Sequence, residues 1–223
     1  MVHQIVNSRI FLFLEVLVVA LFILFIGFIV GYSVESGRLN KIVDSYKEFE
    51  VNALDLKLQD YYFQTMAVAS CEKAIAQNFA FADKIYNTGL LIEKYEQSGQ
   101  LLGTQILNEK KKYVLLKTEL WLNSILLKNK CSASFHTIVY FYSQTPTKAQ
   151  EAEQAAIALT LKQLKDNYGN EFVLLPIAGD LGLDSVSMQM DAYNVTYLPS
   201  ILIDEKKLIE GFERYEELEA YLK

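Results

Sequence analysis

The sequence predicts an α/β protein built from one transmembrane helix, an α-helical stalk with an antiparallel hairpin, and a C-terminal βαβαββα module. Three observations carry that reading. Residues 10–32 read IFLFLEVLVVALFILFIGFIVGY, apolar but for Glu15. From residue 39 to about 130, apolar side chains recur at helical steps of three and four. Beyond Cys131, short runs rich in β-branched and aromatic residues alternate with helical stretches.

The first run is long enough to cross a bilayer, since about 20 apolar residues at helical rise match a hydrocarbon layer roughly 30 Å thick. No small-residue cleavage site follows it around residues 29–36, so it reads as an uncleaved signal-anchor contacting membrane lipid through residues 10–32, after a tail of residues 1–9. The chain is then single-pass. Arg9 precedes the span while Arg38, Lys41 and Lys47 follow it, which by charge alone favours a cytoplasmic body. The short tail and a possible disulfide argue for an extracytoplasmic body, and that is the orientation expected here.

Residues 33–131 are expected to form the stalk and hairpin. Leu39, Ile42, Tyr46, Phe49, Ala53 and Leu56 form one helical stripe, broken at Asp60 and resumed by Phe63 and Ala67. It serves either packing against neighbouring helices or a coiled coil that makes a homo-oligomer. A helix over residues 67–97 should stop at Ser98-Gly99 and Gly103, and a second should run to about residue 130 with Ile106, Tyr113, Leu116, Leu120, Trp121, Leu126 and Leu127 inward. Cys71 and Cys131 are equally far in sequence from Leu101 at the turn, so equal helical rise returns them to the same end of the hairpin. They either form a disulfide or remain two unrelated thiols.

Residues 132–223 supply the module. Residues 136–142 read as a buried strand, and Thr145-Pro146 as the cap and first residue of a helix over 146–168, closed by Gly169 and Asn170. Residues 172–177 form a second strand, with Pro176 near its end. A short helix over about 183–193, strands at 200–204 and 208–212 around a turn at 205–207, and a helix over about 215–222 complete the order.

The segment Asn194-Val-Thr-Tyr-Leu-Pro-Ser-Ile-Leu-Ile203 resembles the part of thioredoxin-fold proteins where a short helix ends in a proline turn before the central hairpin. The resemblance covers roughly two-fifths of the chain. It implies a thioredoxin-like domain in which Pro199 matches the family's cis-proline. Tyr197, Leu198, Pro199 and Ser200 would then form the loop whose backbone meets an extended peptide. One departure matters most. Where redox-active members carry CxxC, this chain reads Ser143, Gln144, Thr145, Pro146 and Thr147, with no sulfur, and hydroxyls cannot enter thiol–disulfide exchange.

Other chemistry finds little support. Basic residues are scattered, which leaves no concentrated face for nucleic acid, and the two histidines and two cysteines make no metal-ligand pattern. No phosphate-binding glycine motif or GxSxG occurs, so no catalytic, cofactor-binding or metal residue is assigned. The expected function is a membrane-tethered, non-catalytic thioredoxin-like protein that binds an unidentified protein or peptide, or serves as accessory subunit of a membrane complex. The alternatives are a divergent thiol–disulfide oxidoreductase or peroxidase using Cys71 or Cys131, and a structural stalk protein that oligomerises.

Overall fold

The computed structural model describes residues 14–34, 51, 54–55, 57–58, 70–97 and 104–223. The expected tail at 1–9, the stripe from Leu39 to Leu56, its resumption at Phe63 and Ala67, and the hairpin turn at 98–103 lie outside the described residues. Helix α1, Leu14–Val34, is long and apolar enough to cross a membrane, and none of its most apolar stretch is buried. Its last described residue, Val34, lies two residues beyond the apolar run, with Gly31 inside the helix. Residues Met1–Ser45 and Tyr46–Lys223 form two separate compact units.

In the second unit α2, Cys71–Gln97, and α3, Thr104–Cys131, precede the module. There follow β1 (His136–Tyr142), α4 (Lys148–Tyr168), β2 (Phe172–Ala178), α5 (Asp184–Ala192), β3 (Ser200–Ile203), β4 (Lys207–Glu210) and α6 (Tyr215–Ala220). The strands make one four-stranded mixed sheet in the order β2-β1-β3-β4. β1 pairs in parallel with β2, His136 opposite Phe172, and antiparallel with β3, Ile138 opposite Ile203. The parallel pair needs a crossover, which α4 supplies. β1 lies inside the sheet and reads as a continuous buried run, as a strand covered on both faces must.

One face of the sheet carries Ile138, Tyr140, Leu174, Ile201, Ile203 and Ile209 against Ile157, Leu161 and Leu164 of α4 and Leu218 of α6. Strand periodicity turns Val139, Phe141, Val173, Leu175 and Leu202 to the other face. There Trp121 of α3, fully buried, meets Phe141 edge-on at 5.9 Å between ring centroids. Tyr193, just after α5, packs against the same indole at 5.4 Å. The hairpin therefore forms the second layer over the sheet. Helical periodicity in the sequence reports the apolar stripe of α3 but not that it covers the sheet.

Within the hairpin, α2 and α3 are registered by buried polar groups. Asn78 Nδ2 donates to Ser124 Oγ at 2.9 Å, and Asn123 Nδ2 donates to Asn78 Oδ1 at 3.0 Å. Gly89 lets the helices approach, since a Cβ there would strike the Tyr113 hydroxyl, which donates to the Ile85 carbonyl. Cys71 and Cys131 form a disulfide with Cα atoms 5.6 Å apart, joining the start of α2 to the end of α3.

Lys117 is the costly residue of this layer. It is only 4% exposed, its Nζ donates to the Pro176 carbonyl at 2.6 Å, and it lies 4.1 Å from the Tyr113 ring centroid. Burial lowers its pKa from 10.5 to about 7. The unfolded chain then binds more protons than the folded one between those values, so stability rises with pH across that window. Lys117→Met is expected to raise the unfolding free energy at pH 7, measured by urea denaturation, by about 1–3 kcal/mol, and to flatten the rise above that pH. An unchanged pH profile would show that the amine is not buried as described.

A second cluster clasps α3 to the β3–β4 turn. Asp204 and Glu205 both have positive φ, 50° and 57°, and the Lys206 amide donates to the Ile203 carbonyl, as in a type I′ turn. Such turns favour glycine, asparagine or aspartate, so Asp204 suits its position while Glu205 is held there by its contacts. Asp204 accepts from Lys128 Nζ at 2.6 Å and from the Thr137 amide at 3.0 Å, and lies 2.5 Å from His136 Nδ1. Glu205 accepts from Trp121 Nε1 at 2.8 Å and the Thr137 hydroxyl at 2.6 Å. Partial burial pushes the Asp204 pKa up, but the bonds from Lys128, His136 and Thr137 outweigh it and leave the carboxyl below its usual range. Its stabilisation is present above the unfolded pKa and is lost as pH falls through the folded value. Asparagine tolerates the same backbone, so Asp204→Asn should cost about 1–3 kcal/mol at pH 7, with the gap from wild type closing in acid. Urea titrations at several pH values test this; a gap independent of pH would contradict it.

Candidate functional site

The end of the sheet opposite that clasp gathers the residues singled out in the sequence. Tyr142 closes β1, and residues 143–147 cross to α4. The Leu198-Pro199 peptide bond is cis, and Pro199 leads directly into β3. Helix α4 begins at Lys148, capped by Thr147, and not at Pro146 as expected. The Thr147 side chain accepts from the Gln150 amide while Gln150 Oε1 accepts from the Thr147 amide at 3.0 Å, a reciprocal capping box. Thr145 is free of the capping role because its polar groups are spent on Asp180.

Asp180, in the loop after β2, organises the whole crossing. Ser143 Oγ donates to it at 2.6 Å, the Gln144 amide at 2.7 Å, and the Thr145 amide and hydroxyl each at 3.3 Å. Partial burial raises the Asp180 pKa, and the bonds from Gln144, Ser143 and Thr145 overcome that to hold it below the usual carboxylate range. Removing the acceptor in Asp180→Ala should speed hydrogen exchange of the Gln144 and Thr145 amides about tenfold, the effect of losing a bond worth roughly 1.4 kcal/mol. Exchange as slow as in the wild type would show that other contacts hold the loop.

The cis-proline loop is tied to the same helix. Gln150 Nε2 donates to the Leu198 carbonyl at 2.8 Å, Ser200 Oγ donates to the Tyr197 carbonyl at 2.6 Å, and the Gly211 amide donates to the Pro199 carbonyl at 2.8 Å. Each carbonyl from Tyr197 to Pro199 thus has an internal donor. Pro199 and Ser200 are buried, Leu198 is half-buried, and Tyr197 is exposed. The structure brings residues 143–147 and 197–200 together through Gln150. Cys71 and Cys131 stand apart from them: Cys131 precedes β1 and Ser143 follows it, so a seven-residue strand, roughly 20 Å, lies between. Their only described state is the disulfide.

Asp180 and Gln150 were not legible as site residues in the sequence. Asp180 belongs to no sequence motif, and nothing local reveals that β2 delivers it beside the end of β1. Gln150 had a partial signal, lying three residues after Thr147 as a capping box requires. Among the described residues no group of three or more His, Cys, Asp or Glu is placed to hold a metal ion. The chain matches no protein-family model, and no curated protein matches it.

Proposed function

We propose that this chain is a membrane-tethered, non-catalytic thioredoxin-like protein whose α/β body binds a protein or peptide, or joins a membrane complex as an accessory subunit. The observation that carries this reading is the pairing of a cis-Leu198–Pro199 loop with a neighbouring crossing, residues 143–147, that holds no sulfur. The β2-β1-β3-β4 order and the crossover through α4 support the thioredoxin-like assignment. A crossing whose hydroxyls and amides are directed onto Asp180 is suited to a rigid surface more than to covalent chemistry. The disulfide supports a body in an oxidising, extracytoplasmic compartment, with α1 as anchor.

The test is site-specific crosslinking in native membranes. With Tyr197 replaced by photoreactive p-benzoylphenylalanine, a defined adduct is expected, and the same substitution at Lys130 should give none. A chain recovered without any adduct from Tyr197, or with the same adducts from both positions, would count against a binding surface at this end.

A further inference from the structure

The two edges of the sheet differ. β2 forms one edge, and the Gly179 amide donating to the Tyr142 carbonyl sets its odd-numbered residues toward β1. Phe172, Leu174, Pro176 and Ala178 therefore turn their backbone groups outward. Pro176 has no N–H to offer, its carbonyl is taken by Lys117 Nζ at 2.6 Å, and the Phe172 carbonyl accepts from Lys165 Nζ at 3.3 Å. A strand arriving at β2 would meet a missing donor and occupied acceptors.

β4 forms the other edge. The Gly211–Pro199 bond sets the phase of its ladder, so Ile209 and Lys207 pair with β3 while Leu208 and Glu210 turn N–H and C=O outward. Those outward groups have no hydrogen-bond partner among the described residues. Beside the Glu210 end stand Tyr197 and Phe212, 42% and 49% exposed, and the carboxylates of Glu153 and Glu210. Glu153 accepts from the Tyr197 hydroxyl at 2.9 Å and the Phe212 amide at 3.1 Å, and Glu210 accepts from the Thr196 hydroxyl at 3.2 Å. All three donors are neutral, so neither carboxylate has a cation beside it among the described residues. Lys206 and Lys207 lie at the opposite, turn end of β4, and Arg214 is engaged by Glu217.

We infer that the β4 edge receives an extended peptide strand bearing lysine or arginine side chains at its Glu210 end. This rests on the peptide-binding reading above. It moves the backbone contact from the cis-proline loop, where Gln150 already occupies the Leu198 carbonyl, to the adjoining strand. The Leu208 and Glu210 backbone groups supply ladder bonds, Glu153 and Glu210 supply the countercharge, and the Tyr197 and Phe212 rings flank the cation.

Fluorescence anisotropy of the full chain in zwitterionic lipid nanodiscs tests it with three labelled peptides. The first is acetyl-Thr-Val-Thr-Val-Thr-Lys-Thr-Lys-amide; the second has glutamate for lysine; the third is the first with alternate amides N-methylated. The lysine peptide is expected to bind at least tenfold more tightly than either of the others. In the double variant Glu153→Gln, Glu210→Gln, which keeps the acceptor oxygens, the advantage over the glutamate peptide should vanish. Equal affinity for lysine and glutamate peptides, indifference to N-methylation, or no binding of any probe would overturn the inference. If no probe binds while crosslinking from Tyr197 still captures a partner, the β4 assignment falls and the binding reading stands. If the crosslinker captures nothing either, both fall.

Discussion

Reducing the Cys71–Cys131 disulfide, or replacing both cysteines with alanine, is expected to lower the unfolding free energy of the body by about 4 kcal/mol. The bond closes a loop with a sequence separation of 60, and in the chain-entropy account a closure of that length restricts the unfolded chain by this amount. The native contacts it joins should survive, because the hairpin is also held by Asn78, Ser124 and Asn123 and by Trp121 on the sheet. The expected result is thus a lower urea midpoint with an unchanged far-ultraviolet spectrum. A midpoint insensitive to reductant would mean that the crosslink restricts nothing the folded hairpin does not already restrict. In protein from native membranes, both cysteines should resist alkylation until reductant is added.

The second large effect is expected from Trp121→Ala, which should cost about 3–5 kcal/mol, in the range for truncating a buried aromatic side chain. Trp121 is fully buried, packs on Phe141 and Tyr193, and donates its indole N–H to Glu205. Its removal leaves a cavity between hairpin and sheet and takes one donor from the clasp at Asp204 and Glu205. Trp121→Phe should lose less, since the ring contact with Phe141 is retained and only the Glu205 bond and some volume disappear. Chemical denaturation of both variants measures the order. Equal losses would assign the effect to the hydrogen bond and not to packing. Because Trp121 is the only tryptophan, the wild-type emission reports directly on hairpin–sheet contact.

How much of this was readable in the chain follows from where each interaction lives. The strand of residues 136–142 was visible because burial on both faces demands an unbroken apolar run, and the order of elements followed from the change of period after Cys131. The pairing of Cys71 with Cys131 could be posed from helical rise alone. The start of α4 was misplaced by two residues: Thr145-Pro146 and Thr147 with Gln150 are both good start signals, and only Asp180 decided between them. The strand ends at the β3–β4 turn shifted because Asp204 and Glu205 adopt left-handed backbone, which their side-chain partners make tolerable.

By itself the sequence determined what depends on neighbours along the chain: an N-terminal helix apolar enough for a membrane, two amphipathic helices, the alternation of strands and helices, and the absence of sulfur at residues 143–147. Only the tertiary structure decided that the hairpin roofs the sheet, that Lys117 and Pro176 close one edge while the outward groups of β4 are unpaired among the described residues, and that Asp180 and Gln150 brace the cis-proline end. Those outcomes depend on contacts between residues far apart in sequence, such as Gln150 with Leu198 and Trp121 with Glu205. Local propensity and periodicity carry no information about such pairs, because the free energy that selects them arises only when the separate apolar faces are buried against one another.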